Sequence, residues 1–241
     1  MSDLKKTFLE RVQAYGCKNE DLAVNYFTRL DNELKKANPV KTWKQINFED
    51  FLSKAIAYAN IGIDPLAPKM LSFTLFANKS NGLSDVVFVE DVRCMETLAR
   101  RYGINCPENI KVELIYSTDK FSLIKKDLSN PQDSYVLEIT NPFERGDIIG
   151  GVSLSEYQNP AYNKVRLMSL KDIEKRVKTN SSFWTNWKEE MCEKTIGKNA
   201  WGKVVLDTTQ LADYYAQKST PEQEFEAENM ENLPFDPDAE L

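Results

Sequence analysis

A chain of 241 residues with 41 % hydrophobic and 28 % charged residues is long enough for one large domain or two small ones around a real core. It contains no histidine, which excludes Ser-His-Asp and Cys-His nucleophilic sites, histidine general bases and histidine-ligated zinc. The formal net charge of -6 argues at first against a nucleic-acid partner, but the distribution of that charge reverses the reading.

In chain order, Leu4, Phe8 and Val12, then Leu22, Tyr26 and Leu30, recur at helical spacing. They predict two helices over residues 3–37, broken near Gly16–Asn19 and closed at Asn38-Pro39. A third helix is expected from Asn47 to Asn60, with Asn47 as N-cap, stopping before Gly62 and Asp64-Pro65. Residues 70–77 and 85–89 flank Asn81-Gly82 and read as a hairpin. A helix over 91–102 follows, with Gly103 as its stop. Strands are predicted over 110–117, 121–125, 134–140 and 147–155, and another near 162–168. Helices are then expected over 169–178, 182–196 and 204–217. Helices, antiparallel strands with one inserted helix, then helices make an α+β chain rather than a parallel βαβ series. The expected organisation is one domain over residues 1–218: a helical part to about residue 60, an α+β core over about 61–205 and a C-terminal helix.

Residues 219–241 hold eight acids, three prolines and no Lys or Arg, so they are expected to form a disordered acidic tail. Without that tail, residues 1–218 carry 31 basic and 29 acidic residues, a net of +2. Within them, 164–203 hold ten basic and five acidic residues. A basic block thus precedes an acidic tail. Cys17, Cys94, Cys106 and Cys192 form no CxxC pair, so structural zinc is not expected. Their number permits a disulfide, yet four scattered cysteines in a charged chain read as buried thiols in a reducing cytosol. No uncharged apolar run approaches a membrane span, and the charged N-terminus lacks the apolar centre of a signal peptide. An intracellular protein is expected.

Gly197 to Lys203 spells the GxxxxGK frame of a phosphate-binding loop, but Val204 stands where Ser or Thr must hold magnesium, and a helix precedes it where a strand is required. ATP hydrolysis is therefore not expected. Asp64, Asp91, Asp119, Glu144 and Asp147 lie near separate turns and read as turn and cap residues. A metal-dependent nuclease, the alternative reading, would need such acids to converge. The basic block says more. Lys171, Lys175 and Lys178 share one helical face, Lys164 and Arg166 one side of a strand, and Lys194 and Lys198 an i, i+4 pair. Phe183, Trp184 and Trp187 lie between these clusters. Cations with nearby aromatics suit single-stranded nucleic acid. Equally, the spacing of Trp184, Trp187 and Met191 is that of a buried face, and Asp172, Glu174, Glu189 and Glu190 could neutralise the lysines.

Four stretches taken together resemble the RecT family of phage and prophage single-strand annealing proteins. They are Ile61-Gly62-Ile63-Asp64-Pro65 with the following strand, and Leu98-Ala99-Arg100-Arg101-Tyr102-Gly103 ending a helix. The third is Asp119-Lys120-Phe121 with Asn141-Pro142 and Arg145-Gly146-Asp147-Ile148-Ile149-Gly150-Gly151-Val152; the fourth joins Met168–Glu174 to Trp187–Ile196. The ordered set spans about residues 50–205. Departures from the family pattern stand at Tyr102, at Phe183-Trp184 or Asn186-Trp187, and after Lys194-Thr195.

The resemblance implies an ATP-independent, non-enzymatic protein that binds single-stranded DNA and anneals complementary strands in phage-type recombination. It implies an antiparallel sheet with packed helices, assembly into rings or helical filaments, and a 5′-3′ exonuclease partner. The setting would be the cytoplasm of a bacterial host. No cofactor is called for, although Mg2+ would modulate DNA binding. Arg100, Arg101, Lys171, Lys178, Lys188, Lys194 and Lys198 are the expected phosphate contacts, with Lys69 a further candidate. Leu233-Pro234-Phe235-Asp236-Pro237-Asp238 resembles the acidic tip of bacterial single-strand-binding proteins. Three readings of the tail stay open: it occupies the chain's own basic groove, docks on a host replication protein, or only solubilises.

Overall fold

The computed structural model describes residues 3–37, 40–78, 82–176 and 182–218. The acidic segment 219–241 and Lys178 lie outside the described residues. The chain divides into two compact units, and the division falls after Cys94 and again after Leu206. Both units mix helices with antiparallel strands, as the order of predicted elements requires.

The first unit holds α1 (Asp3–Ala14), α2 (Glu20–Lys36), α3 (Phe48–Asn60), the hairpin of β1 (Leu71–Asn78) and β2 (Leu83–Glu90), and α8 (Ala212–Gln217). Asn19 and Asn47 cap α2 and α3, their side chains accepting from the N–H groups of Leu22 and Asp50. The amphipathic faces bury a chain of aromatic rings. Phe8 meets Phe27 at 5.3 Å, Phe27 stacks on Trp43 at 4.4 Å, and Phe73 stacks on Phe88 at 4.5 Å. One ionised group enters this core. Glu90, at the end of β2, is wholly buried and accepts from the hydroxyls of Tyr58 (2.9 Å) and Tyr214 (2.6 Å) and from the Lys218 ammonium (2.6 Å). A buried carboxylate needs that full complement of donors, so α8 is held to the hairpin by polar as well as apolar contacts. Burial beside Glu90 pushes both tyrosine phenols well above their ordinary range.

The second unit is built on a three-stranded antiparallel sheet in the order β3 (Asn109–Tyr116), β6 (Ile148–Glu156), β7 (Lys164–Ser169). One face carries α5 (Leu170–Glu174) and α7 (Lys188–Trp201), which bury Leu114, Tyr116, Ile148, Ile173, Cys192 and Ile196. The other face is covered by the hairpin of β4 (Lys120–Ile124) and β5 (Ser134–Glu138), whose Phe121 and Tyr135 pack on Ile115, Val152 and Val165. Strand alternation explains this two-sided burial, since Leu114 and Ile115 point to opposite faces. α7 lies very close to β6. A Cβ built on Gly151 would stand 2.4 Å from Ile196 Cδ1 and 2.9 Å from the Glu113 carbonyl oxygen. Gly151→Ala is therefore expected to cost about 1–3 kcal/mol of stability by overpacking. Urea denaturation checks this; a neutral substitution would show that α7 can retreat from the sheet.

Three predicted helices end differently in the structure. The helix expected over 169–178 is a single turn, α5, because Lys175 already forms its C-cap. The helix expected over 182–196 breaks at Trp187 into α6 (Ser182–Asn186) and α7, and α7 continues to Trp201. The GxxxxGK frame therefore begins inside a helix and closes at its C-cap, Gly202, which is no phosphate loop. The helix expected over 204–217 shortens to α8, because Val205 accepts from the Ile104 N–H (2.8 Å) and Leu206 pairs with Gly103. Gly103 does stop α4 (Val92–Tyr102), but by close approach rather than by a left-handed turn; its Cβ would meet the Ala99 carbonyl at 2.2 Å. The four cysteines are free, three buried and Cys106 half-buried.

Candidate nucleic-acid interface

β7 is an edge strand, and it alternates Lys164, Val165, Arg166, Leu167, Met168. Val165 is buried against the β4–β5 hairpin side, so Lys164 and Arg166 fall on the opposite side with Met168, which packs on the α5–α7 core. Ser169 then turns the chain. Its hydroxyl accepts from the Asp172 N–H (3.2 Å) and donates to the Asp172 carboxylate (2.7 Å), capping α5. α5 buries Ile173 and leaves Lys171, Lys175 and Arg176 in solvent. α7 starts nearby with Lys188.

These cations divide by what already holds them. The Lys175 ammonium donates to Asp172 at 2.7 Å, and with Ser169 it keeps the Asp172 carboxyl below the usual carboxylate range. Lys188 pairs with Glu174 at 3.6 Å. By contrast, Lys164, Arg166, Lys171 and Arg176 have no side-chain hydrogen bond or ion pair among the described residues. Four cations with no hydrogen bond or ion pair of their own, on one edge strand and the turn that follows it, form a short basic track. Trp187, expected on a buried face with Trp184 and Met191, is instead 56 % exposed, while Trp184 packs on the core. An exposed indole beside a basic track is a stacking platform for a base.

The other expected contacts are placed as follows. Lys194 and Lys198 are half-buried and lie one turn apart on α7. Arg101 is exposed at the end of α4. Arg100 is engaged within its own unit: it donates to Glu96 (2.8 Å) and the Glu108 carbonyl (3.3 Å), and lies 5.4 Å over the Trp201 ring. It ties the end of α4 to the last turn of α7. Lys69 is exposed in the loop before β1, with φ +58, and belongs to the other unit. Among the expected contacts that the structure describes, Lys171 alone belongs to the basic track. Lys164, Arg166 and Arg176 belong to it without having been singled out as contacts; the Lys-Val-Arg alternation was the signal for the first two.

The described acids near the turns have separate partners. Asp119 is held by Arg145 at 2.6 Å, Asp64 accepts from Asn25 (3.1 Å), Asp91 from the Val92 N–H (2.7 Å) and Glu144 from Asn141 (3.1 Å). Among the described residues no three of Cys, Asp or Glu could hold a metal ion together. No described helix is long and apolar enough to cross a membrane.

Comparison with protein families gives a match described as the RecT family over residues 32–233. The chain belongs to the RecT family. The match extends beyond both ends of the stretch in which sequence motifs carry the resemblance, taking in the end of α2, the residues that lead into α3 and part of the acidic segment. That membership is consistent with single-strand annealing in DNA recombination. No curated protein and no solved structure matches the chain.

Proposed function

We propose that this RecT chain binds single-stranded DNA through the β7–α5 track and anneals complementary strands without hydrolysing a nucleotide. The observation that carries the reading is the set of four cations, Lys164, Arg166, Lys171 and Arg176, that make no side-chain hydrogen bond or ion pair among the described residues, with the exposed Trp187, in a RecT-family chain. Cations on an extended edge can hold consecutive phosphates, and base edges then stay free for a second strand. Arg101, Lys188, Lys194, Lys198 and Lys69 would extend the contact surface, and Mg2+ would modulate binding by screening phosphates. The chain would act in the cytoplasm of a bacterial host, as a ring or filament of copies. It would work beside a 5′-3′ exonuclease that exposes the strand and a host single-strand-binding protein.

The test is the pairing of two complementary dye-labelled oligonucleotides at low salt with Mg2+ and no nucleotide. Faster pairing with both strands intact is expected. Magnesium-dependent loss of strands would replace the proposal with a nuclease, and folded protein that leaves the pairing rate unchanged would reduce it to a binding module.

A further inference from the structure

The loop that joins β4 to β5 carries an apolar tip on a braced frame. Leu128 is fully exposed, at 108 %. The polar residues around it fix the loop. One Asp127 carboxylate oxygen accepts from the N–H groups of Ser129 (2.7 Å) and Asn130 (2.8 Å), and the Asp127 N–H donates to the Asn130 carbonyl (2.8 Å). The Asn130 amide then donates to the carbonyls of Lys125 (3.3 Å) and Gln132 (2.7 Å), which closes the base of the loop. The backbone under the leucine is thus ordered before anything covers it, and that lowers the cost of covering it.

The same loop is tied to the basic track. Asp133 is buried, and its carboxylate accepts from the Lys126 N–H (3.1 Å), from the Lys125 ammonium (3.0 Å) and from the backbone of Val165. Val165 lies between Lys164 and Arg166 on β7, so the loop is anchored at the end of the edge strand where the track begins. Gln132 also meets Asn163, the residue before β7, at 3.5 Å. The charges of the loop are arranged in the same sense. Both of its acids are engaged within the unit, Asp127 by backbone N–H groups and Asp133 by Lys125. Lys126 is exposed and makes no side-chain hydrogen bond or ion pair among the described residues. A bare apolar side chain and a cation therefore stand where a path for phosphates starts.

Apolar side chains, leucine among them, enter between neighbouring bases in DNA complexes and unstack them, and the burial gained offsets the stacking lost. We infer that Leu128 is a wedge that opens one base step of the single strand on the β7–α5 track, with Lys126 on an adjacent phosphate. The inference rests on the reading of that track as the DNA site, and it gives the site a part beyond holding phosphates. A strand interrupted in this way cannot stack across the opened step, so the bases on either side are released to meet a second strand.

The test uses full-length protein and a single-stranded oligonucleotide of alternating adenine and 2-aminopurine, whose fluorescence is quenched by stacking. The alternation puts a reporter near the tip in every register. At protein concentrations that saturate the strand, the wild type is expected to raise the fluorescence. Part of that rise comes from extension along the track. Leu128→Ser should lose about half of it or more with the salt slope of binding unchanged, because a leucine neutralises no phosphate. Leu128→Phe, which keeps an apolar wedge, should restore it. Lys126→Gln should lower affinity about five-fold at about 0.1 M salt and flatten the slope by about 0.7. Leu128 is exposed, so these variants leave the core as it is, and thermal unfolding checks that. A Leu128→Ser protein that binds the strand and raises the fluorescence as the wild type does would overturn the wedge and leave the track standing. An unchanged rise with altered sedimentation of Leu128→Ser would overturn it too, and assign the tip to a contact between copies. A folded wild type that leaves the anisotropy of the strand unchanged would remove the track and the wedge together.

Discussion

Replacing Lys164, Arg166, Lys171 and Arg176 together by glutamine is expected to lower single-strand affinity several hundred-fold in about 0.1 M salt. For single strands each neutralised phosphate contributes about 0.7 to the salt slope, which is about five-fold in affinity per contact at that salt. Four contacts multiply to on the order of 600-fold and should flatten the slope by about 3. The loss should be alike for every sequence, because phosphate contacts carry no base information. The informative control is Lys175→Gln with Lys188→Gln. Those ammonium groups already face Asp172 and Glu174, so removing them releases an acid for each cation lost. If the control weakens binding as much as the quadruple variant, or the quadruple variant keeps its salt slope, the strand runs elsewhere. Trp187→Ala should add a loss in affinity with no change in slope, since stacking releases no counterion.

That division among the lysines was only partly legible in the sequence. The pairing of Lys175 with Asp172 follows from i, i+3 spacing. The pairing of Lys188 with Glu174 joins two helices whose packing no local pattern declares. Arg100 reads as a surface cation at a helix end, yet Glu108 and Trp201 come to it from separate elements. The strands are legible because alternation is local; β3, β6 and their faces follow from it. The C-terminal helices are shorter than their periodicity implies because tertiary contacts, such as Gly103 with Leu206, take over where periodicity still continues. Trp187 kept helical spacing but fell at the break between α6 and α7, and so turned outward. Glu90 is the clearest limit. A glutamate ending Val86-Val87-Phe88-Val89 reads as the polar end of a strand, whereas its partners Tyr214 and Lys218 lie 124 and 128 residues away.

Arg145→Met is expected to be the most damaging single change in the second unit, at about 3 kcal/mol. Arg145 forks onto Asp119 with contacts of 3.1 and 2.6 Å, donates to the Leu114 carbonyl at 3.0 Å and lies 4.1 Å over the Tyr116 ring. The Asp119 side chain is fully buried, so loss of the guanidinium strands a carboxylate with only the Tyr116 N–H at 2.8 Å. Asp119→Asn removes the stranded charge, and the double variant should be more stable than Arg145→Met alone. pH supplies a second reading. Arg145 first, and then the Tyr116 N–H, hold the Asp119 carboxyl below its usual range. In the unfolded chain the group titrates near about 3.9, so the folded state gains from the pair above that pH and loses the gain as pH falls through the lower folded value. The difference between wild type and Arg145→Met should therefore be full at pH 7 and shrink below about pH 4, where the variant's carboxyl is protonated. Denaturation across that range decides it. A cost under about 1 kcal/mol, or one that does not change from pH 7 to pH 3, would mean that the pair is a surface ornament of the fold. The same clamp holds the end of β3 against the start of β6.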